Sequence, residues 1–134
     1  MSKAKRSEGR FLAIPANLME TRKYRSLSSH ARMLLIELLY EYRGSNNGDL
    51  SATWSRMCHR GFRSRSTLNK AIQELLGAGL IIKTRQGGRN QCSLYALTWR
   101  SIDECRHPRG GALKFDAGVK PGPPPMTWKD EARS

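Results

Sequence analysis

At 134 residues the chain can bury one core of ordinary size but not a second full domain. Its 24 Lys and Arg against 11 Asp and Glu give a formal net charge of +13, a field that favours phosphate polyanions or an anionic membrane surface. No stretch approaches the roughly 18–20 apolar residues of a bilayer span, and the N-terminus lacks a signal-peptide core, so a soluble intracellular protein is expected.

The chain opens with MSKAKRSEGR, in which Lys3, Lys5, Arg6 and Arg10 accompany almost no apolar content. Residues 1–10 therefore read as a basic flexible arm able to add salt-sensitive phosphate contacts. FLAIPANLME follows as a short apolar anchor, with Pro15 favouring an extended or turn entry. The first long helix is predicted in SSHARMLLIELLYEYRG, with Ser28 as N-cap and Gly44 as the stop. Ala31, Leu34, Leu35, Leu38 and Tyr42 recur at helical spacing as a core stripe, and Met33, Ile36 and Leu39 widen it.

GSNNGD is a turn by composition, and its Asn-Gly either closes a small hairpin or lets the chain reverse. Leu50 to Ala52 is a short strand or an extended linker. TWSRMCHR reads as a second, shorter helix with Thr53 at its N-cap and Trp54, Met57 and Cys58 facing the core. After a tight turn at Gly61, Ser64 caps a third helix in SRSTLNKAIQELLGAG. At about 100° per residue, Leu68, Ala71, Ile72, Leu75 and Leu76 share one face and Ser66, Asn69, Lys70 and Gln73 the other. LIIKTRQ and QCSLYALTW then read as two strands, with GGRN as the hairpin turn and Gly87–Gly88 as a flexible tip. This order of elements predicts a mainly α protein with a small β-hairpin (α+β), a winged helix-turn-helix over residues 11–102. Residues 103–134 read as an irregular Pro/Gly-rich tail, extended and solvated; its last part holds four of the six prolines.

The charge is uneven. Residues 51–100 hold nine cations against Glu74 alone, while residues 26–50 hold two cations against three anions. Arg63 and Arg65, at the start of the third helix, suit guanine edges or phosphates. Asn69 and Gln73 have the amide geometry that pairs with adenine, and Lys70 suits either role. Ser64, Ser66 and Thr67 can donate to phosphates beside the helix-terminal amides. In the hairpin, Lys83, Arg85, Arg89 and Asn90 form a candidate wing that can enter a minor groove. GGRN lacks the P-loop pattern and a following helix, so it is read as a turn.

The three cysteines, Cys58, Cys92 and Cys105, are odd in number and lack CxxC spacing, which fits free thiols in a reducing compartment. A zinc set of Cys58, His59, Cys105 and His107 matches no standard spacing, and neither metal nor cofactor is expected. His30 and His59 fall on helices, and no nucleophile elbow, HExxH or carboxylate pair is present, so enzymatic activity is not expected.

Three segments carry a family resemblance: IPANLMETRKYRSLSSHARMLLIELLYEYRGSNNGDL, RSRSTLNKAIQELLGAGLI and the strand end YALTW. Together they resemble the small winged-helix proteins of bacterial prophages and plasmids, which are similar to the N-terminal DNA-binding domains of replication initiators. SLSSHAR, NNG and ELLGAGLI are the firmest motifs. The resemblance implies duplex DNA binding through Arg65, Asn69, Lys70, Gln73 and Arg89, in the bacterial cytoplasm and on the nucleoid. Ending in a short Pro-rich tail, the chain is expected to be a stand-alone transcription or replication regulator rather than a helicase-loading initiator. Palindromic DNA would require a homodimer. The alternative is a protein-interaction module or anti-defence inhibitor acting on a host or phage nucleoprotein complex, for which the tail with Trp128 would be suited. A third reading is RNA or nonspecific DNA binding driven by charge.

Overall fold

The computed structural model describes residues 9–129, which form an α+β fold of five helices and one two-stranded antiparallel hairpin. The helices are α1 (Ala16–Met19), α2 (Arg22–Arg25), α3 (Ser29–Glu41), α4 (Trp54–Met57) and α5 (Arg65–Gly77). The strands are β1 (Ile81–Arg85) and β2 (Leu94–Leu97). Lys3, Lys5 and Arg6 of the expected arm lie outside the described residues. No described helix is long and apolar enough to cross a membrane.

Two long helices carry the core. On α3, Ala31, Leu34, Leu35, Leu38 and Leu39 are buried, and on α5, Leu68, Ala71, Ile72 and Leu75 face them. Ser28 caps α3 as expected, its Oγ accepting from the Ala31 N–H at 3.2 Å. The helix ends at Glu41, short of Gly44, and Tyr42 is a half-buried C-cap residue rather than the last member of the stripe. Asn46 is the physical reason. Its Nδ2 donates to the Glu41 carbonyl at 3.0 Å, and its Oδ1 accepts from Arg43 N–H at 2.7 Å, replacing the next helical turn.

The Asn-Gly turn does not close a hairpin. Asn47 is fully buried; its Oδ1 accepts from Leu97 N–H at 2.7 Å. Its Nδ2 donates to the carbonyls of Leu97 (2.9 Å) and Ser101 (2.9 Å). One side chain thereby ties the exit of α3 to the end of β2. Leu50 then bridges Tyr95 through backbone bonds of 2.8 and 3.2 Å, so the hairpin gains a one-residue third partner beside β2.

The end of α5 is a Schellman cap. Leu80 N–H bonds Leu75 O and Gly79 N–H bonds Leu76 O, both at 3.1 Å, while Leu75 and Leu80 are both fully buried. Gly79 has φ +73, and a Cβ there would meet the Thr127 carbonyl oxygen at 2.6 Å. Of the two glycines in Gly-Ala-Gly, it is the second that the fold requires.

Residues beyond Trp99 are irregular in conformation but pack back on the domain, correcting the expectation of a solvated tail as far as Lys129. Trp128 is buried, and Met126 N–H donates to Thr98 O at 2.9 Å. The hydroxyls of Thr98 and Thr127 both donate to the Gly79 carbonyl, each at 2.7 Å. Asp116 covers the free side of β1: its N–H donates to Thr84 O at 2.8 Å and its carboxylate accepts from Gln86 N–H at 2.7 Å. A composition-based reading misses this because the segment makes its contacts through isolated residues with no periodicity.

Candidate functional site

Ser64 starts α5 by accepting from Thr67 N–H at 3.1 Å and donating to Thr67 Oγ1 at 2.8 Å. The Ser64 hydroxyl is therefore spent on capping the helix and on Thr67, whereas the Thr67 hydroxyl accepts and keeps its own O–H for an outside acceptor. Arg65 lies with its guanidinium 5.5 Å from the centroid of the Trp54 ring, joining the start of α5 to α4. Ser66, Asn69, Lys70 and Gln73 are all exposed, and the side chains of Asn69, Lys70 and Gln73 make no hydrogen bond among the described residues. The helical face foreseen from the sequence is thus open and carries a cation and two unpaired amides.

Glu74 is the only carboxylate on α5, and it is occupied. The Ser28 N–H donates to its Oε1 at 2.8 Å and the Ser28 hydroxyl to its Oε2 at 2.7 Å. These two bonds, the backbone one first, hold the carboxyl below its usual range against a smaller opposing effect of burial. Glu74 thereby docks α5 onto the N-cap of α3. Sequence reading saw Glu74 only as a charge; its position beside the buried stripe was the available signal for a docking contact.

The hairpin is narrower at its tip than expected. Gly88 and Gln91 pair through bonds of 3.0 and 3.3 Å, so the turn residues are Arg89 and Asn90 rather than Gly87–Gly88. Asn90 has φ +62, a left-handed conformation that Asn tolerates better than most residues. Arg89 is exposed and makes no hydrogen bond or ion pair among the described residues. Lys83 instead donates to Gln86 Oε1 at 2.8 Å. Arg85 lies across the hairpin, donating to Cys92 O from Nε (3.2 Å) and Nη2 (2.9 Å). Among the hairpin's cations, the structure leaves Arg89 open and draws Lys83 and Arg85 into internal bonds.

The other basic residues divide in the same way. Arg60 pairs with Glu41 at 2.8 Å and Glu37 at 3.4 Å, and Arg56 pairs with Glu41 at 3.2 Å. Arg63 is exposed without a described partner. Arg10 is not a free arm cation: its two Nη atoms donate to the Tyr40 and Tyr42 carbonyls at 3.0 Å. Arg63, Arg65, Lys70 and Arg89 are thus the candidates that lack a hydrogen-bonding or ion-pair acceptor within the described protein.

No group of three or more His, Cys, Asp and Glu among the described residues is arranged to hold a metal, so the zinc set is not gathered. Cys58, Cys92 and Cys105 are free thiols. Burial first, and then the Asp49 and Asp103 carboxylates, push the Cys105 thiol up to about 11, which keeps it un-ionised at neutral pH. No protein-family model, curated protein or solved structure matches the chain.

Proposed function

We propose that the chain is a winged helix-turn-helix protein that reads duplex DNA, with α5 in the major groove and the Arg89–Asn90 turn against the backbone or minor groove. The observation that carries this reading is the state of α5. Its one carboxylate is consumed by Ser28, while the side chains of Asn69, Lys70 and Gln73 face outward with no hydrogen bond or ion pair among the described residues. An amide that can donate and accept at once suits adenine, and a mobile ammonium suits guanine or phosphate. The order helix, Leu50 bridge, helix, helix, hairpin supports the winged-helix reading, and Arg63 and Arg65 beside α5 supply phosphate-binding charge. In keeping with the resemblance to prophage and plasmid proteins, the biological role we propose is regulation of transcription or replication on a mobile element.

The alternative of an inhibitor that binds a protein through its tail loses one support, because Trp128 is buried at 3 % exposure.

Fluorescence anisotropy on a randomised duplex pool and on DNA flanking the gene, at about 50 and 200 mM salt, tests the reading. Selective binding to one duplex, with selectivity reduced by Asn69→Ala, is expected. Equal, weak binding to every duplex that vanishes at the higher salt would sink it.

A further inference from the structure

We propose that a shallow hollow at the C-terminal end of α3, lined by apolar side chains and edged by an arginine, is a docking site for a partner protein, and that the docked segment bears an aliphatic side chain next to carboxylates. Helix α3 ends with carbonyls that the helix itself cannot satisfy, and Arg10 takes two of them, Tyr40 O and Tyr42 O. Its guanidinium also lies 5.3 Å from the centroid of the Tyr40 ring. This clamp holds the segment that follows against the helix end, yet Phe11 stays 64 % and Leu12 42 % exposed. Between them and Leu39, Tyr42 and Arg100 lies a hollow of about 90 Å³, on the scale of one aliphatic side chain.

The chemistry of the rim identifies the occupant. Arg100 donates from Nε to the Tyr42 hydroxyl at 3.3 Å and lies 5.4 Å from that ring's centroid. Neither Arg100 nor Arg10 has a carboxylate partner among the described residues, whereas Arg60, packed on the same helix, has two. A guanidinium stacked on a tyrosine at the edge of a hollow lined by Phe11, Leu12 and Leu39 has the composition of an interface hot spot. With only its Nε engaged, Arg100 calls for a carboxylate, which Arg binds in bidentate fashion. A second copy of this chain fits poorly: it brings another +13 and would set like guanidiniums near one another. Nucleic acid would supply phosphates for the arginines but nothing to fill the hollow. An acidic segment carrying Leu or a similar side chain satisfies both requirements.

The site is independent of the residues proposed to read DNA, so the two readings fail separately. The test is an NMR titration of the full chain with a short synthetic peptide in which Asp and Glu alternate with Leu. Two controls replace Leu by Ser or the acidic residues by Lys. Saturable binding is expected, with a Kd on the order of 0.1–1 mM and shifts centred on Phe11, Leu12, Tyr42 and Arg100. Either control peptide, and either Leu12→Ser or Arg100→Gln, should weaken it about tenfold, or 1.4 kcal/mol, whereas Arg89→Ala should not. Both substituted residues are at the surface, and an unchanged melting temperature would confirm that the variants are folded. Absence of saturable binding, shifts spread over α5 and the hairpin, or indifference to Leu12→Ser and Arg100→Gln would overturn the proposal. So would sedimentation equilibrium showing a dimer that Leu12→Ser dissociates, since the occupant would then be a second copy.

Discussion

Arg56 and Arg60 of the α4 region and Arg63 and Arg65 at the start of α5 are near neighbours in one basic stretch, but the fold uses them in opposite ways. Glu37 and Glu41, one helical turn apart on α3, discharge the first pair. The second pair meets no carboxylate among the described residues, and the one acid of α5 has been turned onto Ser28. The same division separates Lys83 and Arg85, bonded within the hairpin, from Arg89 at its tip. Formal charge per segment is therefore a poor map of the field a ligand meets. The field is set by which cations the fold has already satisfied.

This division predicts that substitutions on the internally bonded side alter stability and leave DNA binding alone, while those on the open side do the reverse. The largest effect belongs to Asn47→Ala. It strips the acceptor from Leu97 N–H and the donor from the carbonyls of Leu97, Arg100 and Ser101, around a fully buried side chain. Leaving such groups unpaired costs about 1–3 kcal/mol each before compensation, so a net loss of about 3–4 kcal/mol is expected. Differential scanning calorimetry should show the melting temperature falling by about 12–16 °C. A fall of only a few degrees would mean that water replaces the side chain.

On the open side, Asn69→Ala should leave the melting temperature in place and weaken the preferred duplex by about 1–3 kcal/mol, mostly as lost selectivity. Arg89→Ala should instead weaken all duplexes evenly and reduce the salt slope by about 1. If the two variants behaved identically, helix and hairpin would not have the separate roles assigned to them.

Glu74 joins the two sides and gives a pH signature. Its folded pKa is lowered, so its contribution to stability is present above the unfolded carboxylate value of about 4.3 and disappears as pH falls through the lower folded value. Glu74→Gln should flatten the acid limb of the melting-temperature profile, with an effect of at most about 1 kcal/mol because solvent screens the site. An unchanged acid limb would show that the Ser28 contact is worth nothing in solution.

The smallest effect sharpens the comparison most. Arg56→Gln removes a cation whose field Glu41 already offsets, and duplex affinity should change less than about twofold (about 0.4 kcal/mol). Arg63→Gln removes the same formal charge and should cost about one unit of salt slope. Equal losses from the two variants would mean that total charge, and not its arrangement, drives binding.

Periodic features are legible in the amino-acid sequence itself. The Leu34–Leu38 stripe, the apolar and polar faces of α5, and the N-caps at Ser28 and Ser64 each follow from local spacing or local hydrogen bonding, and the structure has them where spacing put them. The open face of Asn69, Lys70 and Gln73 is legible for the same reason: opposite faces of one helix are set by the 100° step alone.

What escapes sequence reading depends on contacts distant along the chain. Asn47 becomes a buried hub only because Leu97 and Ser101 reach it from the end of β2. Gly79, not Gly77, is indispensable because Thr127 returns to press on it. Trp128 leaves the surface, and Arg85 is drawn across the hairpin to the Cys92 carbonyl, through partners no periodicity announces. The chain's own local pattern thus determined the two long helices, the short helix after Thr53, the hairpin and the two faces of α5. It determined neither α1, which lies in the expected apolar anchor, nor α2, nor the exposure of Ile36 on α3. Which polar groups remained open was decided in three dimensions, because hydrogen bonds and ion pairs act over a few ångströms and only tertiary packing brings their partners that close.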